Sequence, residues 1–266
     1  MGDIAQRVIG SPVQFNHSDR AATSSINFLA AHDGFTLMDT VSFNDRHNEA
    51  NGEDGADGHD NNISDNMGCE GPSEDEGLNA ARARRRRAMV ATLMISQGVP
   101  MLLSGDEIGN SQQGNNNVYC QDNATAWIDW EAADGAFLDF CSRMIELRHQ
   151  FPVLAQENFL LGKTGDNERV EVAWFQPDGR EMDEALEPGR PACAGRAGRL
   201  FHARSVPGRR PLFAVLNAGD GLNFALPEGS WVRMLDTARD DPFAEEPIGD
   251  GMAAISPASV CLFRPS

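Results

Sequence analysis

The chain has 266 residues, of which 41% are hydrophobic, so it can form one large domain or two ordinary ones with a sizeable core. Its 22 basic and 40 acidic residues give a formal net charge of −18, which argues against nucleic acid or an anionic membrane as a partner. A neutral polyhydroxyl ligand suits an acidic chain, because carboxylates accept hydrogen bonds from hydroxyl groups, although the charge alone does not identify one.

A short apolar run ends in a pair of polar residues. Residues 26–31, INFLAA, predict a buried parallel strand, and His32 and Asp33 follow it before a turn at Gly34. In a (β/α)8 barrel the catalytic residues lie at the carboxyl ends of the strands, which makes His32 and Asp33 candidate active-site residues. The alternative is a strand that merely ends in His-Asp, and this stretch does not decide between the two.

A long polar segment follows this strand. Residues 35–41 predict a helical turn, and residues 44–77 predict a loop dense in Asn, Asp, Gly and Glu. Long loops in compact domains are usually functional or disordered. The aspartates between residues 53 and 65 do not keep the alternate spacing of an EF-hand, so we predict a solvated loop and no metal site.

A strand–helix–strand unit is predicted next. The alanine-rich residues 78–97 predict a helix that Gly98 ends, and residues 99–103 predict a second buried strand followed by Asp106 and Glu107. Adjacent residues of an extended chain point in opposite directions, so at most one of these two carboxylates faces a given site. The arginines of residues 82–87 fan around the helix, and we expect outward-facing ion pairs rather than a nucleic-acid patch.

The pattern of hydrophobic residues changes after a helix predicted over residues 136–151. Beyond Pro152, the apolar runs 170–175, 211–217, 231–235 and 259–263 alternate with Gly, Pro and Asp turns, which predicts an antiparallel β-sandwich. The sequence therefore predicts an α/β part followed by an all-β part, with the boundary near residues 152–160.

Other features bound the class of protein. The five cysteines (Cys69, Cys120, Cys141, Cys193 and Cys261) are odd in number and lack CxxC spacing, which predicts free thiols in a reducing cytoplasm. The N-terminus has no secretory signal and no apolar run reaches membrane-spanning length, so we expect a cytoplasmic protein with no membrane partner. No phosphate-binding or dinucleotide motif occurs, and we predict no cofactor.

Five motifs in order carry a family resemblance. They are INFLAAHDGFTL (26–37), HNEANGEDGADGHDNN (47–62), SQGVPMLLSGDEIG (96–109), QQGNNNVYCQDN (112–123) with Trp127 to Trp130, and VAWFQPDGREM (172–182). With them, the chain resembles the C-terminal portion of a bacterial glycogen debranching enzyme of the α-amylase superfamily, close to isoamylase.

The resemblance implies a fold and an activity. Residues 1–155 would be the C-terminal part of a (β/α)8 barrel, about strands seven and eight with their helices, and residues 156–266 an antiparallel β-sandwich. The family hydrolyses α-1,6 branch links in glycogen or limit dextrins with retention of configuration, so branched α-glucan is the implied partner. By resemblance, Asp33 is the transition-state stabiliser that grips the 2- and 3-hydroxyls of the sugar at the cleavage point, and His32 assists it.

The sequence departs from the family at the groups that make and break bonds. Retaining hydrolysis needs a nucleophilic carboxylate and a protonated acid about 5 Å apart. The family's Gly-Phe-Arg-Phe-Asp-like nucleophile motif, its Glu motif for the acid and its first conserved region are absent from this sequence. We therefore expect this segment to be inactive alone; the alternative is a non-catalytic glucan-binding or regulatory module.

Two strands also cannot close a barrel. Either a longer chain supplies the other strands, or the exposed edge is covered by self-association. A third hypothesis is a degenerate product that only oligomerises through this edge.

Overall fold

A computed structural model describes residues 2–160, 171–181, 199–204 and 211–266. The α-helices are α1 (Gly2–Val8), α2 (Pro12–Phe15), α3 (Leu37–Thr40), α4 (Glu76–Ile95) and α5 (Gly135–Gln150). The strands are β1 (Ile26–Phe28), β2 (Val99–Met101), β3 (Val172–Trp174), β4 (Arg199–Arg204), β5 (Leu212–Asn217), β6 (Leu222–Ala225), β7 (Trp231–Asp236), β8 (Glu246–Ile248), β9 (Met252–Ile255) and β10 (Ser259–Pro265). Cys193 and residue 170 lie outside the described residues.

The chain divides into two compact units. The loop unit consists of Phe28–Val90 and Pro100–Ile145, and the sheet unit of Met1–Asn27, Ala91–Val99 and Glu146–Ser266. The division of the chain into a barrel part at 1–155 and a sandwich at 156–266 stays a prediction. No described helix is long and apolar enough to cross a membrane.

The two long helices confirm the predicted ones, and aspartates set where they begin. The Asp75 carboxylate accepts the backbone N–H of Leu78 at 3.0 Å, and the Asp134 carboxylate accepts that of Phe137 at 3.0 Å. Such side chains satisfy N–H groups that have no partner in the first helical turn. This explains why α4 begins at Glu76, two residues before the predicted start.

The predicted buried strands are shorter and more exposed than expected. Strands β1 and β2 form a two-stranded sheet, in place of the predicted runs 26–31 and 99–103. Their outer residues face solvent: Ile26 is 61% exposed, Phe28 55%, Val99 41% and Met101 39%. The expected burial is therefore wrong for the described chain, because a strand is covered on both faces only where other elements pack on it. That β1 and β2 are barrel strands seven and eight stays a prediction.

Position 98 requires glycine for a different reason from the predicted one, which was that Gly98 ends the helix. Helix α4 ends at Ile95, and Gly98 has a φ of +116° with space for no side chain, since a Cβ there would lie 2.5 Å from the Ser25 carbonyl oxygen. The buried Arg148 guanidinium then donates to the carbonyl oxygens of Met94, Ser96 and Gly98 at 2.5–2.7 Å. One planar group thus satisfies carbonyls in the last helical turn and just beyond it.

The sheet unit contains the predicted antiparallel sheets. A six-stranded sheet has the order β3-β4-β5-β10-β7-β8, and β6 pairs with β9 in a second, two-stranded sheet. Phe213 and Val215 of β5, Phe224 of β6, Ile255 of β9 and Phe263 of β10 share one buried cluster. The two sheets therefore enclose a common apolar core, as a sandwich does.

Candidate functional site

The predicted pair, His32 and Asp33, lies in the loop after β1. The two side chains are 86% and 76% exposed, and His32 Nε2 lies 3.4 Å from Asp33 Oδ2. An exposed carboxylate has free lone pairs, so Asp33 can accept hydrogen bonds from the hydroxyl groups of a ligand.

The backbone of the turn that carries this pair is hydrogen-bonded to another loop. The backbone N–H of Gly34 donates to the carbonyl oxygen of Asn116 at 3.0 Å. Gly34 is buried although Asp33 is exposed, so the backbone of the turn rests on the loop that contains Asn116.

Two buried amides form the centre of this support. The Asn116 backbone N–H donates to Asn48 Oδ1 at 3.0 Å, and Asn48 Nδ2 donates to Asn116 Oδ1 at 2.9 Å. Asn48 is 0% exposed and Asn116 1%. We call Asn48 and Asn116 the amide pair. Gly58 packs so closely on it that a Cβ there would lie 2.2 Å from Asn116 Oδ1, and its φ of +75° also favours glycine.

A wider polar network continues from the amide pair. Asn51 donates to Asp57 Oδ2 at 2.6 Å and to the Asn117 carbonyl oxygen at 2.9 Å, and Asn117 Nδ2 donates to the same Asp57 oxygen at 2.9 Å. The Asn51 amide, followed by that of Asn117, holds the pKa of Asp57 below its usual range. The aspartate therefore acts as an ionised acceptor that joins the two loops.

The segment 44–71 is also held by two charged side chains. The Arg82 guanidinium, 4% exposed, donates to the carbonyl oxygens of Gly71, Asn66 and Cys69. Glu70 accepts the backbone N–H groups of residues 44 and 45 at 2.9 and 3.0 Å. The long polar loop is thus organised by specific hydrogen bonds rather than only solvated.

The expectation of outward-facing arginines is wrong at two positions. Arg82 and Arg86 are buried, and Arg86 pairs with Asp134 at 3.0 Å while its guanidinium lies 4.4 Å from the centre of the Phe137 ring. Residues four apart share a helix face, and these two share the buried face of α4.

Two buried carboxylates, Asp39 and Asp106, hold backbone groups in place, and Asp39 does so at the start of the loop that contains Asn116. Asp39 accepts the Ser111 hydroxyl at 2.5 Å and the Gln112 backbone N–H at 2.8 Å, which fixes the start of the loop. Burial raises the pKa of Asp39 despite these bonds. Asp106 accepts the Leu37 backbone N–H at 2.9 Å, so this acid, one of the two after β2, has a structural role.

Asp106 is a buried carboxyl group whose pKa is raised. Burial, with the charges of Glu107 and Asp39, raises its pKa from 3.8 to about 6. Its Oδ2 is buried and makes no hydrogen bond within the described chain. Among the described residues, no group of three or more His, Cys, Asp or Glu side chains is arranged to hold a metal ion.

The raised pKa of Asp106 predicts a pH-dependent stability. The folded-state value of about 6 exceeds the ordinary 3.8, so this contribution is complete below pH 3.8 and is lost as the pH rises through 6. Between about pH 4 and about pH 7, we expect the wild type to lose on the order of 2–3 kcal/mol of unfolding free energy relative to Asp106→Asn. Urea unfolding at a series of pH values measures this difference. An exposed control, Asp139→Asn, should follow the wild-type pH profile; if Asp106→Asn followed it too, the burial argument would fail.

Comparisons with known proteins show which proteins the chain resembles. The chain is 41% identical to the Glycogen operon protein GlgX homolog of Mycobacterium tuberculosis, over 94% of this chain and 36% of that protein. It is 40% identical to the glycogen debranching enzyme of Serratia proteamaculans, over 93% of this chain and 35% of that protein. The chain is related to the bacterial glycogen debranching enzymes. The resemblance predicted from the motifs is confirmed, and the chain spans about a third of the length of the curated proteins it matches.

Solved structures show the same fold at lower identity. The pullulanase from Bacillus acidopullulyticus has a TM-score of 0.65 and 20% identity, and the match covers 98% of this chain and 26% of that one. A pullulanase from Anoxybacillus sp. LM18-11, complexed with maltotetraose, has a TM-score of 0.64 and 16% identity, covering 99% of this chain and 30% of that one. No family model matches the chain.

Sequence reasoning missed the residues that support Asp33. The amide pair spans 68 residues, and its members stand in loops that the sequence marks only as rich in asparagine. Three consecutive asparagines at 115–117 were the available signal, because Asn side chains bond to backbone groups in turns.

Loss of the amide pair should loosen the Asp33 turn. Asn116→Ala removes the acceptor of Asn48 Nδ2 and the donor to the His59 carbonyl oxygen, and we expect it to cost about 2–4 kcal/mol of unfolding free energy. The Gly34 amide should then exchange faster with solvent deuterium, which NMR or mass spectrometry measures. The exposed Asn79→Ala serves as the control and should leave that exchange rate unchanged. Equal exchange in Asn116→Ala and the wild type would contradict a positioning role.

Proposed function

We propose that this chain is the part of an α-1,6-glucan-debranching glycoside hydrolase that grips the sugar at the branch point. Asp33 is the transition-state stabiliser and a substrate-binding residue, and His32 is its substrate-binding neighbour. The observation that carries the proposal is the exposed Asp33 carboxylate on a supported turn, in a chain 41% identical to a glycogen operon protein.

The chemistry follows from where charge develops. During glycosidic cleavage the anomeric carbon gains oxocarbenium character, and hydrogen bonds to neighbouring ring hydroxyls strengthen as it does so. A carboxylate that accepts from the 2- and 3-hydroxyls therefore binds the distorted ring more tightly than the relaxed one. Asp33 supplies this interaction, and its supported backbone limits the freedom lost on binding.

The bond-making steps need two further carboxylates. The nucleophile attacks the anomeric carbon, the acid protonates the leaving oxygen, and water then releases the sugar. No motif of this sequence matches the family's nucleophile or acid. The 266-residue chain is therefore proposed to bind branched α-glucan without hydrolysing it, which also defines the rival function, a non-catalytic glucan-binding or regulatory module.

Calorimetry and a reducing-end assay test this proposal together. We expect the chain to bind a branched maltooligosaccharide, and Asp33→Asn to weaken that binding about tenfold, since a charge-assisted hydrogen bond becomes a neutral one. Asp139→Asn, an exposed aspartate on α5, is the matched control and should bind as the wild type does. We expect no release of reducing ends. Turnover that disappears in Asp33→Asn would show that the chain is catalytically sufficient, and absence of any binding would reject the glucan function.

Self-association through the exposed strands is a second consequence. Phe28 and Met101 are 55% and 39% exposed, and a second copy of the chain would remove this apolar surface from water. Light scattering should show a dimer or larger species, and Phe28→Lys should shift it towards monomer. Ile63→Lys, at an 89% exposed apolar residue of the loop unit, should not. A stable wild-type monomer would contradict this proposal.

A further inference from the structure

Three large aromatic side chains stand in solvent within one short segment. Tyr119 is 75% exposed, Trp127 60% and Trp130 70%. The other two tryptophans of the chain, Trp174 and Trp231, are 3% and 6% exposed. Single exposed apolar residues are normal, whereas three exposed large rings within twelve residues of one segment make that segment a candidate binding surface. We call residues 118–131 the aromatic segment.

The aromatic segment is held in a defined conformation. Trp127 Nε1 donates to Asp122 Oδ1 at 3.1 Å, and the Trp127 backbone N–H donates to the Asn123 carbonyl oxygen at 3.0 Å. The Asn123 amide donates to Gln121 Oε1 at 2.6 Å, and Gln121 Nε2 donates to Asn51 Oδ1 at 2.7 Å. The segment is therefore tied to the same polar network that supports the Asp33 turn.

The charge pattern selects the chemistry of the ligand. No Lys or Arg occurs between residues 110 and 142, while Asp122, Asp129 and Glu131 alternate with the aromatic side chains. Carboxylates without cations repel an anionic ligand, but they accept hydrogen bonds from hydroxyl groups. A glucose ring has an apolar C–H face that stacks on an aromatic ring and hydroxyls at its edge, so a neutral sugar chain satisfies both features.

We propose that Tyr119, Trp127 and Trp130 form an aromatic binding surface for a linear stretch of the same α-glucan that Asp33 binds. This inference rests on the proposed function, because it assigns further contacts to the same substrate. The rings bind the glucan by stacking and exclude water, while Asp33 binds the sugar at the cleavage point.

Tryptophan fluorescence with maltoheptaose as the probe tests the assignment. We expect the emission to change on titration as the exposed indoles leave water, while Trp174 and Trp231 give a constant background. Trp127→Ala and Trp130→Ala should each weaken maltoheptaose binding about tenfold or more, and Trp127→Tyr should restore part of it. Ile63→Ala, which removes an exposed apolar side chain outside the segment, should change the affinity less than about twofold.

Calorimetry on the same samples separates the two proposals. Asp33→Asn should weaken binding yet keep the full emission change at saturation, whereas each tryptophan variant should lose the part of that change that its own indole supplies. Binding heat without an emission change, or wild-type affinity in both tryptophan variants, would overturn the aromatic surface and leave the Asp33 proposal standing. Neither heat nor emission change with maltoheptaose or with a branched maltooligosaccharide would overturn both.

Discussion

The reciprocal hydrogen bonds between Asn48 and Asn116 are the constraint on which the site depends. Both amides are buried, and a buried amide without a partner costs about 1–3 kcal/mol. The loops that carry them are rich in polar residues, so an apolar core cannot organise those loops. Complementary donors and acceptors do so instead, because each amide satisfies the other only in one arrangement of the two loops.

In this arrangement the backbone of the turn is held in place while the side chain of Asp33 stays exposed. Gly34 bonds backward to Asn116, whereas Asp33, one residue earlier, points its carboxylate into solvent. A binding group on an ordered loop loses less conformational freedom when a ligand arrives. The same network reaches the aromatic segment through Gln121, so one set of hydrogen bonds orients both a hydroxyl acceptor and exposed rings. That combination suits a sugar chain better than an anion or a nucleic acid.

Local signals in the sequence predicted the helices and sheets well. The alanine-rich stretch before Gly98 forms α4, and the apolar runs after Pro152 form strands of the antiparallel sheets. Burial was predicted less well, because the exposure of Phe28 depends on which elements cover β1 rather than on its own residues. The amide pair and the buried Arg86 could not be predicted, since periodicity is a local property and these contacts join residues 68 and 48 positions apart. The candidate Asp33 came from its motif, and its support came only from the structure.

The most direct test is a double-mutant cycle on the amide pair, measured as the free energy of urea unfolding for Asn48→Ala, Asn116→Ala and the double variant. If the two amides hold the loops together, the losses are non-additive, with a coupling energy of at least about 1 kcal/mol. The pair Asn48→Ala and Asn79→Ala, which share no hydrogen bond, should be additive within about 0.5 kcal/mol. Additive losses at Asn48 and Asn116 would contradict the account, since the loops around Asp33 would then be ordered by something else.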